Sequence, residues 1–182
     1  MAPILRLSWR VLGILVAATI VPLMFAAPAA AEPQIQVRTI YYDASRAGEF
    51  VNTVHQAAQV WNNNVSNVRL VSGTPASITV YVDNGWPRAY VTRLGVGRFY
   101  MGRQAVNQGY YQPRIAAHEF GHILGLPDRR TGLCTDLMSG SSAPVSCRNP
   151  NPNTTEANTV NNNFRSAAVA ASPPAREFVW VG

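Results

Sequence analysis

Residues 118–128 read His-Glu-Phe-Gly-His-Ile-Leu-Gly-Leu-Pro-Asp, and this stretch decides which fold and which chemistry the chain can have. The chain has three histidines, and two of them lie here, four positions apart. On an α-helix, positions i and i+4 share a face, so His118 and His122 can direct one imidazole nitrogen each at the same ion. Glu119 lies one step round the helix and can reach a water molecule beside that ion. The spacing therefore predicts a zinc site in which Glu119 takes a proton from the attacking water.

A catalytic zinc ion takes three protein ligands and leaves a fourth position for water. Gly125 permits a sharp turn after the second histidine, as glycine does just past a helix end. Asp128 follows three residues later, and its carboxylate can turn back towards the ion. We expect one Zn2+ per chain, bound by His118, His122 and Asp128. The alternative is a metal-free buried helix, in which the charge of Glu119 is costly to bury.

Hydrophobic periodicity predicts an α+β chain in which strands precede the metal site. The site helix is predicted to begin at Pro113, because proline is favoured in a first helical turn, and to end at Leu124. The other predicted helices are residues 44–62 and 154–171, the latter capped by Thr154 or Thr155. The predicted strands are residues 34–43, 65–71, 77–83, 89–94 and 97–101. Residues 102–111 and 126–153 are predicted loops, and the tail 172–182 is left open between disorder and a short strand.

The first 31 residues are typical of a secretory signal peptide. Arg6 and Arg10 precede an apolar run at 11–27, and three alanines at 29–31 offer a cleavage site. The alternative is a membrane anchor, for which the run is short and is broken by Pro22. We expect removal of residues 1–31, a single domain over residues 32–182, an extracellular location and no membrane partner after removal.

The charge pattern argues against a nucleic-acid partner. The net charge is +6, every basic residue is arginine, and the arginines are scattered along the chain. A nucleic-acid surface needs basic residues clustered on one face. We therefore expect protein or peptide substrates as partners and a monomeric chain.

Cys134 and Cys147 are the two cysteines of the chain. Export implies an oxidising compartment, where such a pair is usually bridged. Closing this loop would constrain the unfolded chain by roughly 3 kcal/mol. The alternative is a thiol metal site, for which two cysteines without a Cys-x-x-Cys pair are a poor match.

Residues 118–128 and the stretch Cys-Thr-Asp-Leu-Met-Ser-Gly at 134–140 resemble the metzincin clan of zinc metallopeptidases. Within that clan, the chain resembles the snapalysin family, the small secreted neutral proteases of Streptomyces, which have Asp where most metzincins have a third His. The resemblance implies an α+β, metzincin-like fold. Its parts are a twisted, mostly parallel sheet, a backing helix, an active-site helix and a small loop-rich C-terminal part that ends in a helix.

The resemblance also implies an activity and a set of site residues. The activity is that of a secreted zinc metalloendopeptidase that favours aromatic residues after the scissile bond. Glu119 corresponds to the general base, Met138 to the methionine of the turn beneath the metal, and Cys134 and Cys147 to a disulfide. The zinc ligands implied are His118, His122 and Asp128.

Three positions depart from that family pattern or qualify it. Arg130 stands where related sequences often carry a tyrosine, so it is a candidate for transition-state support. Residues 109–113 have no carboxylate where family members can bind calcium, so Ca2+ binding is left open. Residues 32–36 leave little room for a long propeptide, and latency through a folded pro-domain is not expected. A proteinaceous inhibitor is considered as a further partner, although the sequence identifies none.

Two other functions compete with the peptidase. One is a catalytically inactive, zinc-bearing module that binds peptides on the same fold, and the other is a metal-free extracellular interaction domain. A purely structural zinc site has no use for a base beside the ligands, so Glu119 argues against the inactive module. Zinc content and chelator-sensitive hydrolysis distinguish the three hypotheses.

Overall fold

A computed structural model of the chain describes residues 36–165 and 175–180. All of these residues belong to one compact unit, Gln34–Gly182. The predicted signal peptide, residues 1–31, lies outside the described residues, so its removal stays a prediction. No helix within the described ranges is long and apolar enough to cross a membrane.

Before the site, four consecutive strands follow a first strand and helix, and beyond the site the described residues become loop-rich. The strands are β1 (Arg38–Arg46), β2 (Val68–Ser72), β3 (Ile78–Asp83), β4 (Arg88–Arg93), β5 (Val96–Gly102) and β6 (Arg176–Val179). The α-helices are α1 (Val51–Asn64), α2 (Arg103–Asn107), α3 (Gln112–Ile123) and α4 (Thr154–Asn163), and short 3-10 helices span Gly48–Phe50 and Leu137–Ser142.

The six strands form one sheet with the order β2-β1-β3-β5-β4-β6. Strands β1, β2, β3 and β5 run parallel to one another, whereas β4 is antiparallel to both β5 and β6. Five of the six strands therefore share one direction, and the predicted mostly parallel α+β sheet is confirmed.

Helices α1 and α3 form the core with one face of the sheet. In β1, Ile40, Tyr42 and Ala44 are buried while the residues between them are more exposed, as the two-residue period of a half-buried strand requires. Trp61 of α1 is fully buried, and its indole nitrogen donates a hydrogen bond of 2.8 Å to the carbonyl oxygen of Ala117 in α3. This contact fixes α1 against the helix that carries the two histidines.

Several local predictions were wrong. The helix predicted over residues 154–171 ends at Asn163, and residues 166–171 lie outside the described residues. Residues 44–46 continue β1 because Ala44 stays on the buried face of the strand, and α1 begins only at Val51, after the positive φ of 57° at Gly48. The predicted loop 102–111 contains the short helix α2. Helix α4 is capped by Asn153 rather than by a threonine, because the Asn153 side chain and the third helical residue exchange hydrogen bonds in a capping box.

The tail also adds a strand, which the sequence left undecided. Strand β6 pairs antiparallel with β4, with Ala89 opposite Phe178 and Val91 opposite Arg176. It therefore forms the sheet edge beside β4 in the described part of the chain. Residues 172–174 and 181–182 of the tail lie outside the described residues.

Candidate active site

Helix α3 places both histidines on one buried face. Residues Arg114 to Ile123 of this helix are all buried, which matches its position between the sheet and the loop-rich C-terminal part. The Nε2 atoms of His118 and His122 lie 2.9 Å apart, and both side chains are inaccessible to solvent. The i, i+4 spacing thus brings the two ring nitrogens together as predicted.

Backbone carbonyls fix the orientation of both rings. His118 Nδ1 lies 3.0 Å from the Leu137 carbonyl oxygen, and His122 Nδ1 lies 2.8 Å from that of Leu126. A carbonyl oxygen only accepts hydrogen bonds, so each Nδ1 carries the hydrogen and donates it. Each neutral ring then presents the lone pair of its Nε2 atom, which is how a histidine that ligates a metal is commonly held.

Asp128 returns to the histidines after the helix ends. Gly125 has a φ of 95°, a left-handed conformation that glycine adopts without strain, and the chain reverses there. Asp128 Oδ1 lies 3.2 Å from His118 Nε2 and 3.6 Å from His122 Nε2. In the described part of the chain, these three residues form the one group of three His, Cys, Asp or Glu side chains whose ligand atoms could hold a metal ion, within 4.8 Å of one another.

The electrostatic environment keeps His122 neutral. Burial, and to a smaller extent the neighbouring His118, lower the pKa of His122 to about 3, although the negative charge of Asp128 acts in the opposite direction. Removing an imidazolium from water is costly, whereas the neutral ring loses little on burial. The lone pair of His122 is therefore available at ordinary pH.

Glu119 is the buried carboxyl group of the site. It is inaccessible to solvent, and neither side-chain oxygen has a hydrogen-bond partner among the described residues. Burial and the negative charge of Asp128 raise the pKa of Glu119 well above its usual range, although Arg88 acts in the opposite direction. A buried carboxyl group without a partner is unfavourable in a folded protein and is typical of a functional site.

Met138 lies against the helix between the two histidines. It is fully buried, and a Cβ atom added at Gly121 would come within 2.7 Å of the Met138 sulfur. On the same turn, a Cβ atom at Gly140 would lie 3.2 Å from the Cε1 atom of His118. These two glycines permit the turn at residues 137–140 to approach the helix closely, so Met138 packs there as ordinary core.

Two buried ionic side chains hold this turn, and the sequence analysis missed both. Arg114, on α3, donates to the carbonyl oxygens of Cys134, Asp136 and Asn149 at 3.1, 2.5 and 2.7 Å. Glu156, on α4, accepts from the backbone nitrogen of Met138 at 2.8 Å. Arg114 lies in an otherwise apolar helix, and Glu156 has the Asn-x-x-Glu spacing of a capping box, so each carries a local sequence signal. Their carbonyl and N–H partners in the turn, however, are distant in the chain.

The remaining predicted site residues lie around this turn. Cys134 and Cys147 form a disulfide, so the thiol metal site is excluded. Arg130, with a positive φ of 40°, has its Nη2 atom 3.7 Å from Asp128 Oδ2 and donates from it to the Val179 carbonyl oxygen at 3.3 Å. Arg130 is therefore a neighbour of the proposed ligand Asp128 and of strand β6.

Strand β6 covers the site from the solvent side. The Phe178 ring stacks on His122 with 4.1 Å between centroids and 10° between planes. The Trp180 ring meets His118 at 4.5 Å in an edge-to-face arrangement. The run Phe-Val-Trp at 178–180 left the tail open between disorder and a short strand, and nothing local indicated that its side chains would contact the histidines.

A helix-borne His-Glu-x-x-His group with a convergent carboxylate, set beside a mostly parallel sheet, defines the class of zinc metallopeptidases. Within this class, the chain belongs to the Streptomyces extracellular neutral proteinase (M7) family, whose profile matches residues 37–167. The family resemblance noted in the sequence is thereby confirmed.

Several curated relatives carry the name "Extracellular small neutral protease". The chain is 44% identical over 127 residues to that of Streptomyces lividans. This match covers 68% of this chain and 55% of the relative. It is 43% identical over 124 residues to that of Streptomyces caespitosus, covering 68% of this chain and 94% of the relative. It is 41% identical over 143 residues to that of Streptomyces sp. (strain C5), covering 76% of this chain and 62% of the relative. The chain thus spans little more than half the length of some relatives and nearly all of another.

Among solved structures, the chain is similar to high choriolytic enzyme 1, a hatching enzyme zinc-protease from the medaka fish Oryzias latipes. The TM-score is 0.38 and the sequence identity is 23%. The match covers 52% of this chain and 47% of that chain.

Proposed function

We propose that the chain is a secreted zinc metalloendopeptidase that hydrolyses peptide bonds in proteins. His118, His122 and Asp128 are the zinc ligands, and Glu119 is the general base. The observation that carries the proposal is the convergence of two imidazole Nε2 atoms and a carboxylate oxygen within 4.8 Å beside a buried, unpartnered carboxyl group.

The donor set suits a zinc ion. Because both Nδ1 atoms donate to carbonyl oxygens, the two Nε2 lone pairs face each other across 2.9 Å with no hydrogen between them. Asp128 Oδ1 adds a third acceptor 3.2 Å from His118 Nε2. Three acceptors at such distances repel one another unless a cation lies among them, and two nitrogens with one carboxylate oxygen form a common catalytic zinc set.

When bound, zinc lowers the pKa of a water molecule and polarises the carbonyl group of the scissile peptide bond. Glu119 accepts the proton of the attacking water on a carboxylate oxygen and later donates it to the leaving amine nitrogen. The buried surroundings raise the pKa of Glu119 above its usual range, which makes its carboxylate a stronger proton acceptor than an exposed one.

Other residues of the site hold or assist this group. Met138 packs beneath the histidines and does not ligate. The Leu137 and Leu126 carbonyl oxygens keep both Nε2 atoms directed at the ion. Arg130, whose Nη2 atom lies 3.7 Å from Asp128 Oδ2, would stabilise negative charge that develops on the scissile carbonyl oxygen.

The partners follow from the family and the relatives. Relatives named extracellular proteases support an extracellular location and protein or peptide substrates. The preference for aromatic residues after the scissile bond rests on the family resemblance. A monomeric chain with one zinc ion is the simplest form consistent with a site built within one chain.

The proposal is tested by measuring zinc content and hydrolysis of an unstructured protein such as casein, with and without a chelator. We expect about one zinc per chain and hydrolysis that the chelator abolishes and added zinc restores. Mapping the product ends by mass spectrometry tests the aromatic preference separately. Zinc without hydrolysis, with peptide binding retained, would support the inactive binding module. The absence of both zinc and hydrolysis would refute the proposal.

A further inference from the structure

Strand β6 occupies the edge of β4 that otherwise would be open in the described part of the chain. The pairing runs antiparallel from Val91 opposite Arg176 to Arg88 opposite Val179. The backbone nitrogen of Trp180 extends this pairing by donating a hydrogen bond of 2.8 Å to the Pro87 carbonyl oxygen. An extended peptide added to a free sheet edge in this way is a general mode of peptide recognition.

The aromatic residues of this segment point at the proposed metal ligands. Side chains alternate along a strand, so Phe178 and Trp180 share the face that meets α3. Phe178 stacks on His122 and Trp180 contacts His118. The Phe178 contact is face to face and the Trp180 contact is edge to face, and both arrangements are favourable for aromatic rings.

With β6 in place, both histidines and Glu119 are closed to solvent, whereas the Asp128 side chain keeps 21% of its exposure. His118 and Glu119 are inaccessible to solvent, and His122 is 1% exposed. A scissile carbonyl group must reach the immediate neighbourhood of these residues for hydrolysis to occur. The structure therefore shows a covered site, and β6 has to leave before a peptide bond can enter.

Strand β6 is also outside the part of the chain that the family profile matches. The family profile ends at residue 167, and β6 lies beyond it. The indole nitrogen of Trp180 is buried without a hydrogen-bond partner among the described residues. An unsatisfied buried donor costs free energy, so the segment is held less tightly than its apolar contacts alone would suggest.

We propose that residues 175–180 are an intramolecular peptide ligand of the site, which competes with peptide substrates and keeps the site closed while bound. The surface is the β4 edge together with the two histidine ring faces. The ligand it takes is an extended peptide with aromatic side chains at alternate positions. The inhibitory consequence rests on the proposed peptidase function, whereas the binding does not.

The tether determines how strongly the segment competes. A segment joined to the same chain acts at an effective concentration in the millimolar range, so weak intrinsic binding suffices to close the site. Substrate at saturation displaces such a competitor. The apparent KM therefore equals the KM of the open form divided by the fraction of molecules that are open, and kcat is unchanged.

The test compares the full-length mature chain with its Phe178→Ala/Trp180→Ala variant on a short fluorogenic peptide. Intact mass confirms that the tail is present in both proteins. We expect kcat/KM to rise by at least about tenfold in the variant, through KM, because two ring contacts are lost. If the double variant folds poorly, Phe178→Ala alone takes its place. It removes a half-buried side chain and should give a smaller rise in kcat/KM. Glu177→Ala, on the exposed face of β6, is the matched control and should leave both constants unchanged.

A second measurement does not depend on hydrolysis. A capped peptide with the sequence of residues 175–180 is titrated into the zinc-loaded double variant and into the full-length chain by calorimetry. We expect binding to the double variant, much weaker binding to the full-length chain, and no binding of the peptide with alanine at positions 178 and 180. In the activity assay, the same peptide should inhibit the double variant.

The outcomes separate this inference from the peptidase assignment. If no variant hydrolyses any substrate but the peptide binds the double variant, the peptidase proposal fails and the ligand assignment is supported. If the double variant hydrolyses peptides no faster than the full-length chain and does not bind the peptide, the ligand assignment is overturned and the peptidase stands. A rise in kcat without a change in KM would likewise contradict competition.

Discussion

At the scale of single residues, the site depends on which atoms can accept a proton and which can bind a cation. The two Nδ1 atoms donate to carbonyl oxygens, which leaves the Nε2 atoms as ligands. Glu119 is the residue next to them that has no partner of its own. The proposed chemistry is therefore divided between groups that hold the ion and one group that moves the proton.

The substitution Glu119→Gln tests that division. The amide keeps the size of the side chain but cannot take a proton from water, and it is not one of the proposed ligands. We expect zinc content unchanged and kcat reduced by about 10²–10⁴-fold, the usual contribution of general acid–base catalysis. Zinc is measured by mass spectrometry and kcat with a fluorogenic peptide. Glu177→Gln is the matched control on an exposed site, and full activity of Glu119→Gln would exclude the base assignment.

Asp83 provides a pH-dependent prediction away from the site. Its carboxylate pairs with Arg88 at 2.6 Å, and the hydrogen bond from Arg88 lowers the pKa of Asp83. Since the folded pKa lies below the unfolded value of about 3.9, this pair stabilises the fold above that pH and the gain is lost as pH falls through the folded pKa. The Arg88 side chain is 21% exposed and that of Asp83 is 35% exposed, so solvent screening keeps the contribution of the pair modest.

We expect Asp83→Asn to lower the free energy of unfolding by about 0.5–1 kcal/mol at pH 7 and by less below about pH 3. Urea denaturation at both pH values measures the difference. Asp83→Glu retains a carboxylate and should retain the sign of the pH dependence. An equal loss at both pH values for Asp83→Asn would show that packing, and not charge, is responsible.

At the scale of elements, α3 and α4 are connected through the turn at residues 137–140. Glu156 in α4 accepts from the backbone nitrogens of Leu137, Met138 and Asn153 at 3.1, 2.8 and 2.7 Å. Leu137 in turn supplies the carbonyl oxygen that orients His118. Glu156, in the first turn of α4, thus helps to position His118, a proposed ligand on α3.

The substitution Glu156→Gln should therefore destabilise the fold. The amide nitrogen would face backbone N–H groups in a buried site, where a charge-assisted hydrogen bond contributes about 1.5–3 kcal/mol. We expect a loss of that size in the free energy of unfolding, measured by urea denaturation of the zinc-loaded protein. Glu177→Gln makes the same change on the surface and should stay within about 0.5 kcal/mol of the unmodified chain. Similar values for the two variants would show that the turn does not depend on Glu156.

At the scale of the whole molecule, zinc binding and stability should be coupled. The proposed ligands come from α3 and from the loop that follows it, and they converge only in the folded chain. A ligand that binds the folded state alone stabilises it, by about 4 kcal/mol when its free concentration is 1,000 times the Kd.

We expect a chelator to lower the thermal midpoint and added zinc to restore it, as followed by circular dichroism. Asp128→Asn should show a smaller difference between the two conditions because it weakens the metal site. The comparison also distinguishes loss of metal from loss of fold, since the variant without zinc should still unfold cooperatively. An identical midpoint with and without bound zinc would contradict the coupling.

Several parts of the fold and site were accessible from the sequence because they depend on local spacing. Two histidines at i and i+4 share a helix face wherever that helix lies, and Gly125 ends the helix by its own conformational freedom. Alternation and helical periodicity likewise located most strands and the site helix to within a few residues. Predictions failed where local signals compete, as at residues 44–46, which continue β1 although they also fit a helical period.

The sequence by itself determined the pair of histidines with the adjacent Glu119, the glycine that lets Asp128 return, and the class of the sheet. Only the tertiary structure decided that Arg114 and Glu156 hold the turn beneath the site. It also decided that β6 pairs with β4 and covers both histidines. The physical reason is that periodicity reports which face of an element is buried, whereas the partner of a buried charge or an open strand edge is chosen by residues far away in the chain.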